Sequence, residues 1–356
     1  MKIAGIGMIC ARGLGIAAFE SALENGWQKP QETAARWLGG RTAPAYLVDL
    51  DALPDRSILK KVRRSDHLSK MAVLAAANAL ADGAIGEAAP KGLGVIVASA
   101  FGPHVTTFDF LDDFLDHGDA AVSPTTFSNS VHIAPASYIS MSLNVKGPTL
   151  SVTQFRFSFQ AALQLAKTWL DQKRCDHVLL GAVEQYCDLL GYVMDHKLTT
   201  AADGRIKPFT FKPTCQVPGE GAVFFLLTSG NTESAYGVVN AVHVNDDPDS
   251  GRTVDLDIID ADGMQPDESA YLRSLSPDTP VTAYSPLFGS MMIGGAFNMA
   301  AGALMLKRQR GYAAPVQDNP HGIRLLSETG NRRMESIRCT GYDCYAERTS
   351  IYISRG

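Results

Sequence analysis

The chain has 356 residues, too many for one simple hydrophobic core, and only 19% of them are charged against 46% hydrophobic, where an average globular domain carries about 25% charged residues. That balance excludes a fibrous or disordered chain and demands extensive burial, with a subunit interface as one outlet. The net charge of −5, from 32 basic and 37 acidic residues spread without long blocks of one sign, excludes nucleic acid as a bulk partner.

In chain order, the N-terminal MKIAGIGMICARGLG reads as a strand at 2–8. Gly and Arg interrupt its apolar run before a secretory h-region can form, so a cytoplasmic location is expected. Short apolar runs mark further strands at 93–99, 149–154, 178–183, 221–228, 236–242, 254–260, 279–283 and 349–353. Helical patterns at 66–82, 157–172 and 290–307 lie between them, the first two with apolar residues at three and four spacing. Strands alternating with helices of this length imply an α/β fold with buried strands. The turn-rich stretch 229–235 (SGNTESA) divides the chain into an N-terminal half, 1–229, and a C-terminal half, 235–356.

The uncharged stretch 286–306 has the length of a membrane span. Its glycines at 289, 294, 295 and 302, with Ser290 and Asn298, suit a helix packed closely inside a protein, so no membrane span is expected. The six cysteines (10, 175, 187, 215, 339, 344) form no C-x-x-C pair and have no histidine at metal-ligand spacing. Free, mostly buried thiols follow, with neither metal nor cofactor expected.

Five segments, in order and at matching intervals over some 60–228, resemble landmarks of the β-ketoacyl-acyl-carrier-protein synthases. They are VRRSDHLSKMAVLAAANALADGAI, GLGVIVASAFG, SPTTFSNSVHIAPASYISMSLNVKGPTLSV, CDHVLLGAVEQ and KPFTFKP followed by PGEGAVFFLL. The resemblance implies a thiolase-like five-layer α/β/α/β/α sandwich of two related halves, working as a dimer.

The same resemblance locates a degenerate catalytic site. The family's nucleophilic cysteine lies nine residues after the glycine of the KGP turn, which from Gly147 is Arg156. A thiol is needed there because a helix N-terminus lowers its pKa, whereas an arginine cannot be deprotonated or acylated by this route. Asp262, in Asp260-Ala261-Asp262-Gly263, takes the place of the first family histidine, Ser290 that of the second, and Ser285 that of a lysine. The family's closing glycine-rich loop is replaced by YDCYAER (342–348), and the element before GEGA reads Pro213, Thr214, Cys215, Gln216. An ion pair between Arg156 and Asp262 across the former site is expected, since a buried arginine needs a partner. The competing reading is a nucleophile elsewhere, Cys187 or Cys215, although neither follows a KGP strand.

An inactive ketosynthase-like chain implies a chain-length factor, which pairs with an active ketosynthase in an aromatic polyketide or aryl-polyene type pathway. Phe127, Val131, His132, Ile133 and Ala134 would then edge the partner's substrate tunnel, with His132 packed on an interface helix. Lys60, Lys61, Arg63 and Arg64 would meet an acidic acyl carrier protein, or form a solvated charged face. Two alternatives remain: an enzyme with remodelled chemistry at Asp262, Ser290 or a cysteine, and a homodimeric scaffold.

Overall fold

The computed structural model describes residues 1–34, 41–83, 92–211, 214–230, 235–265, 268–343, 345 and 347–356. Pro213, Cys344, Ala346 and residues 231–234 of the expected boundary lie outside them. The first part of the chain forms β1 (Lys2–Cys10), β2 (Gly13–Leu14), α1 (Ile16–Asn25), β3 (Gln31–Ala34), β4 (Thr42–Ala45), α2 (His67–Asp82), β5 (Leu93–Ala98), α3 (His104–His117), α4 (Pro124–Asn129), α5 (Ala134–Ser142), β6 (Thr149–Val152), α6 (Ser158–Asp171), β7 (His177–Glu184), α7 (Asp188–Lys197) and β8 (Gly221–Thr228). The second forms β9 (Val238–Val244), β10 (Leu256–Ile259), α8 (Glu268–Ser274), β11 (Val281–Thr282), α9 (Ser285–Phe288), α10 (Gly294–Arg308), β12 (Arg310–Gly311), β13 (Gly330–Asn331), β14 (Ser336–Tyr342) and β15 (Arg348–Ser354).

Among the described residues the main sheet runs β11-β10-β14-β15-β9-β1-β8-β7-β5-β6, with β2 attached to β1. This order is one pattern used twice. Numbered within each half, the strands run 3-2-4-5-1 from the outer edge inward, pairs 2–3 and 2–4 parallel and pairs 4–5 and 5–1 antiparallel. The repetition is invisible residue by residue because topology constrains only where apolar strands fall. The halves meet where Lys2 pairs with Val238 and the Ile3 amide donates to the Gly237 carbonyl at 2.9 Å.

Helix α2 covers the outer face of the first half. It approaches closely because β1 offers glycine: a Cβ at Gly7 would stand 2.1 Å from the Ala75 carbonyl oxygen. Between the halves lie α6 and α10, whose Phe159, Leu163, Ala296, Met299 and Ala303 join one core with Ile258, Ile337 and Ile351. On the outer face of the second half, Ala270 and Tyr271 of α8 pack with Ile259, Val281 and Tyr342. The β9–β10 connection, residues 245–255, carries no helix. Beside it the sheet face is polar: Arg338 of β14 donates to Asp257 of β10 at 2.5 and 3.1 Å, and Tyr352 reaches the Asp249 carbonyl at 2.8 Å.

The uncharged stretch 286–306 divides into α9 and α10 and is buried from both sides by the two halves of the sheet, which explains its lack of charge. No helix of the described residues is long and apolar enough to cross a membrane. The strand expected at 149–154 ends at Val152, because Phe155 at φ +42° opens a turn. Strand β14 was not expected from the sequence: in SIRCTGY Ile337 and Cys339 face the core between the halves, while on the other face only Tyr342 is apolar and Arg338 and Thr340 bind Asp257.

Candidate functional site

Two connections bring the site together at the carboxyl ends of β6 and β10. After β6, the turn Phe155–Phe157 leads into α6, pinned by a 2.8 Å bond from the Gln154 amide to Ser158 Oγ. After β10, the chain turns at Gly263, φ +77°. A Cβ there would collide with the Cys215 carbonyl oxygen at 2.0 Å, so glycine is required for residues 262–264 to lie against the 215–217 segment.

The ion pair expected from the sequence is present. Arg156 Nη1 donates to Asp262 Oδ2 at 2.9 Å and Nη2 to Asp262 Oδ1 at 2.8 Å, a two-pronged pairing between residues only 7% and 3% exposed. Arg156 Nε donates to the Tyr342 carbonyl at 2.7 Å, and the Met264 amide donates to Asp262 Oδ1 at 3.1 Å. Burial works against the guanidinium charge, but Asp262 and Asp260 overcome it and raise the Arg156 pKa. Because Arg156 belongs to the first half and Asp262 to the second, the pair joins them.

Asp260 is a third member that the sequence reading passed over. Its Oδ2 is 4.0 Å from Arg156 Nε, and its Oδ1 accepts from Tyr271 Oη at 3.1 Å and the Tyr342 amide at 3.3 Å. One buried cation faces two carboxylates. Burial pushes the Asp260 pKa up to about 7 against the pull of Arg156, with the Asp262 charge adding to the rise. Two aspartates at strand-end spacing, 260 and 262, were the available sequence signal.

Ser290 and Ser285 complete the filling. Ser290 Oγ donates to the Asp262 carbonyl at 2.6 Å and accepts from the Val217 amide at 3.1 Å; Ser285 Oγ donates to the Ala261 carbonyl at 2.8 Å. Neither serine hydrogen-bonds a base able to take its proton, which an acyl-transfer nucleophile requires. Burial raises the thiol pKa of Cys10, Cys175, Cys187, Cys215 and Cys339, the opposite of thiolate activation. Cys187 caps α7, with its sulfur accepting from the Leu190 amide at 3.4 Å. Glu220 is a structural stitch, accepting from the amides of Val48 at 2.8 Å and Tyr186 at 3.1 Å.

The segment expected to meet a partner lies apart from this cluster. Phe127 is 57% exposed, and Val131 and Ile133 are exposed with it. Ala134 is 3% exposed, because it begins α5 and faces α5's packing side. His132, expected on a helix, lies instead in the turn before α5, exposed in the single chain, with its ring against Gly102. Leu150 on the edge strand β6 and Met141 add further exposed apolar surface.

Lys60, Lys61, Arg63 and Arg64 are all exposed. Lys61 donates to the Ser142 carbonyl at 3.3 Å and Asn129 to the Arg64 carbonyl at 2.8 Å, which fastens the basic segment to α5 and α4. Lys60 and Arg63, with Arg56, His67 and Lys70, line a cleft of about 680 Å³. That cleft, and another of about 550 Å³ beside Arg12 and Tyr46, have no lining from Arg156, Asp262 or Ser290.

Residues 3–232 match the family model "Beta-ketoacyl synthase, N-terminal domain". A curated relative, the polyketide synthase PksL of Bacillus subtilis (strain 168), is 29% identical over 161 residues, which cover 41% of this chain and 4% of that protein's length. The fold is shared with a β-ketoacyl synthase from Burkholderia phymatum STM815, at TM-score 0.80 and 19% identity with both chains fully covered. It is shared too with the ishigamide ketosynthase/chain length factor, at TM-score 0.82 and 14% identity over 100% of this chain and 98% of that one. A third similar structure is the ketosynthase ApeO in complex with its chain length factor ApeC from Xenorhabdus doucetiae, at TM-score 0.76 and 15% identity over 100% and 98% of the two chains.

Removing one member of a buried ion pair strands the other, so Arg156→Met should cost about 3–5 kcal/mol in urea unfolding. Arg156→Met combined with Asp262→Asn should recover most of the loss; equal losses in the single and double variants would contradict the pairing. Asp260 binds its proton more tightly when folded than the about 3.9 of an unfolded aspartate. Its stabilisation is therefore complete below about pH 4 and disappears as pH rises through about 7. Asp260→Asn, neutral throughout, should flatten the decline in stability between those values, measured against wild type because Glu184, also pushed up to about 7 by burial, adds to the slope. An unaltered slope would assign the titration elsewhere.

Proposed function

The chain belongs to the β-ketoacyl synthase family, and on that premise we propose that it is a non-catalytic subunit of chain-length-factor type, pairing with an active ketosynthase in a polyketide or polyene type pathway. The carrying observation is the contrast between the two parts just described. Arg156, which the resemblance sets at the nucleophile position, is held in a buried ion pair, with no activated serine or thiol among the described residues. The α4–β6 face, in contrast, leaves Phe127, Val131, Ile133, Met141 and Leu150 exposed.

Large apolar side chains grouped on one face and flanked by an unpaired strand edge suit a permanent partner better than solvent. Among the described residues strand β6 ends the sheet, so an antiparallel copy of the same edge from a second subunit would extend it. The names of the similar ketosynthase and chain length factor pairs support a ketosynthase as that second subunit. The basic segment 60–64, fastened to the same face, suits an acidic acyl carrier protein delivered beside the partner's site. In this arrangement halves 1–229 and 235–356 each supply one member of the ion pair, and the surface carries the function.

Co-expression with the active ketosynthases of its own organism, followed by size exclusion, should yield a one-to-one complex. The chain alone should form no covalent adduct with malonyl or acyl carrier protein. A stable homodimer that excludes every ketosynthase would favour a scaffold, and acylation of the chain alone would favour a remodelled enzyme. In the complex, Phe127→Ala or Ile133→Ala should lengthen the products, with an unchanged distribution in both counting against a tunnel-shaping role. Lys60→Glu with Arg63→Glu should weaken association with an acyl carrier protein roughly tenfold at low salt and reduce its salt dependence. Equal affinity would make the basic run a solvated face.

A further inference from the structure

The turn that carries Arg156 holds a second residue in an unusual state. Phe155 has φ +42°, in the left-handed region that bulky side chains rarely enter, and it is 67% exposed. Glycine would hold that conformation without steric cost. The chain at this point has therefore kept a large aromatic ring where both the backbone and the solvent disfavour it.

The surrounding bonds explain how the conformation persists. Arg156 is rooted inward by Asp262 and the Tyr342 carbonyl, and Ser158 Oγ holds the Phe155 carbonyl at 2.7 Å and the Gln154 amide at 2.8 Å. With residues 154, 156 and 158 fixed, the backbone at 155 has no freedom to relax, and its side chain is directed outward. The ring stands edge-on to Phe101, centroids 6.2 Å apart at 82°. Phe101 adjoins Gly102, against which the His132 ring packs, and the His132 carbonyl accepts from Ser151 of β6 at 2.9 Å. Phe155 thus belongs to the exposed face that includes Val131, Ile133 and Leu150.

We propose that Phe155 is the anchor of this face, a ring mounted on the Arg156–Asp262 pair and inserted across the interface into the apolar acyl channel of the active ketosynthase, where it forms part of the end wall. The inference rests on the pairing proposed above. An exposed ring and a strained backbone both disfavour the free chain, and burial of the ring in an apolar partner channel compensates the first while the ion pair maintains the second. A channel that receives an acyl chain has the chemistry to receive this side chain, which brings neither charge nor hydrogen-bonding groups.

The test compares wild type with Phe155→Gly and Phe155→Trp, using the purified chain and the ketosynthase with which it forms a complex. In the free chain Phe155→Gly should raise the Tm by about 1–3 °C, since the strain is relieved and little packing is lost. In titration calorimetry the same variant should bind the ketosynthase roughly 30-fold more weakly, as expected for an interface hot spot. Its complex, assembled at saturating concentration, should make longer products. Phe155→Trp should keep the affinity and shorten the products. A Phe155→Gly affinity within twofold of wild type, or a product length that responds to neither variant, would overturn the assignment and leave the pairing intact. A fall in Tm on Phe155→Gly would make the ring a packing residue and overturn it as well. Failure of the wild-type chain to bind any ketosynthase would overturn both readings.

Discussion

A guanidinium can be buried only if its charge is met, and in this fold meeting it requires both halves of the molecule. Arg156 comes from the turn after β6, Asp262 from the turn after β10, and the Tyr342 carbonyl from the end of β14. Strands β10 and β14 are neighbours in the second half of the sheet, whereas β6 is the outermost strand of the first, so the pair forms only when the halves are correctly seated. The turn between β6 and α6 is thereby a specific fastening. Its strength is the penalty for breaking it: unpaired, either charge would be stranded in a dry site.

The two serines extend this change from charge to shape. Ser290 and Ser285 spend their hydroxyl protons on the carbonyls of residues 262 and 261, fixing the very loop that carries the counter-ion. Both donors are aimed at the chain's own backbone, which leaves neither hydroxyl proton free for an incoming group. The same atoms that close the interior hold the 154–158 turn in place, which links the interior to the face bearing Phe127, Ile133 and Leu150.

The Arg156–Asp262 pair was legible because the resemblance placed both residues at one site. The KGP turn at 146–148 and Gly263 fix the chain path, so Arg156 and Asp262 could be matched by counting. What escaped depends on register or conformation. Asp260 acquires its role from Tyr271 and Tyr342, the latter on a strand β14 whose Arg338 and Thr340 disguise it as polar loop. His132 falls in a turn and Ala134 in the helix because α5 begins between them, and no pattern in SNSVHIAPAS fixes that boundary. Phe155 carries no mark in sequence at all, since glycine and asparagine announce a positive φ and phenylalanine does not.

The doubled strand pattern also constrains how the molecule comes into being. Strand β1 is paired along its length only with β8, whose last residue, Thr228, lies far along the chain, and its other neighbour β9 comes later still. In a nascent chain emerging N-terminus first, β1 can pack on α2 early but has no strand partner along its length until Thr228 is made. Each half then closes on a strand made last, β8 in one and β15 in the other, so the ribosome and its chaperones meet two successive open sheets, each awaiting a late partner.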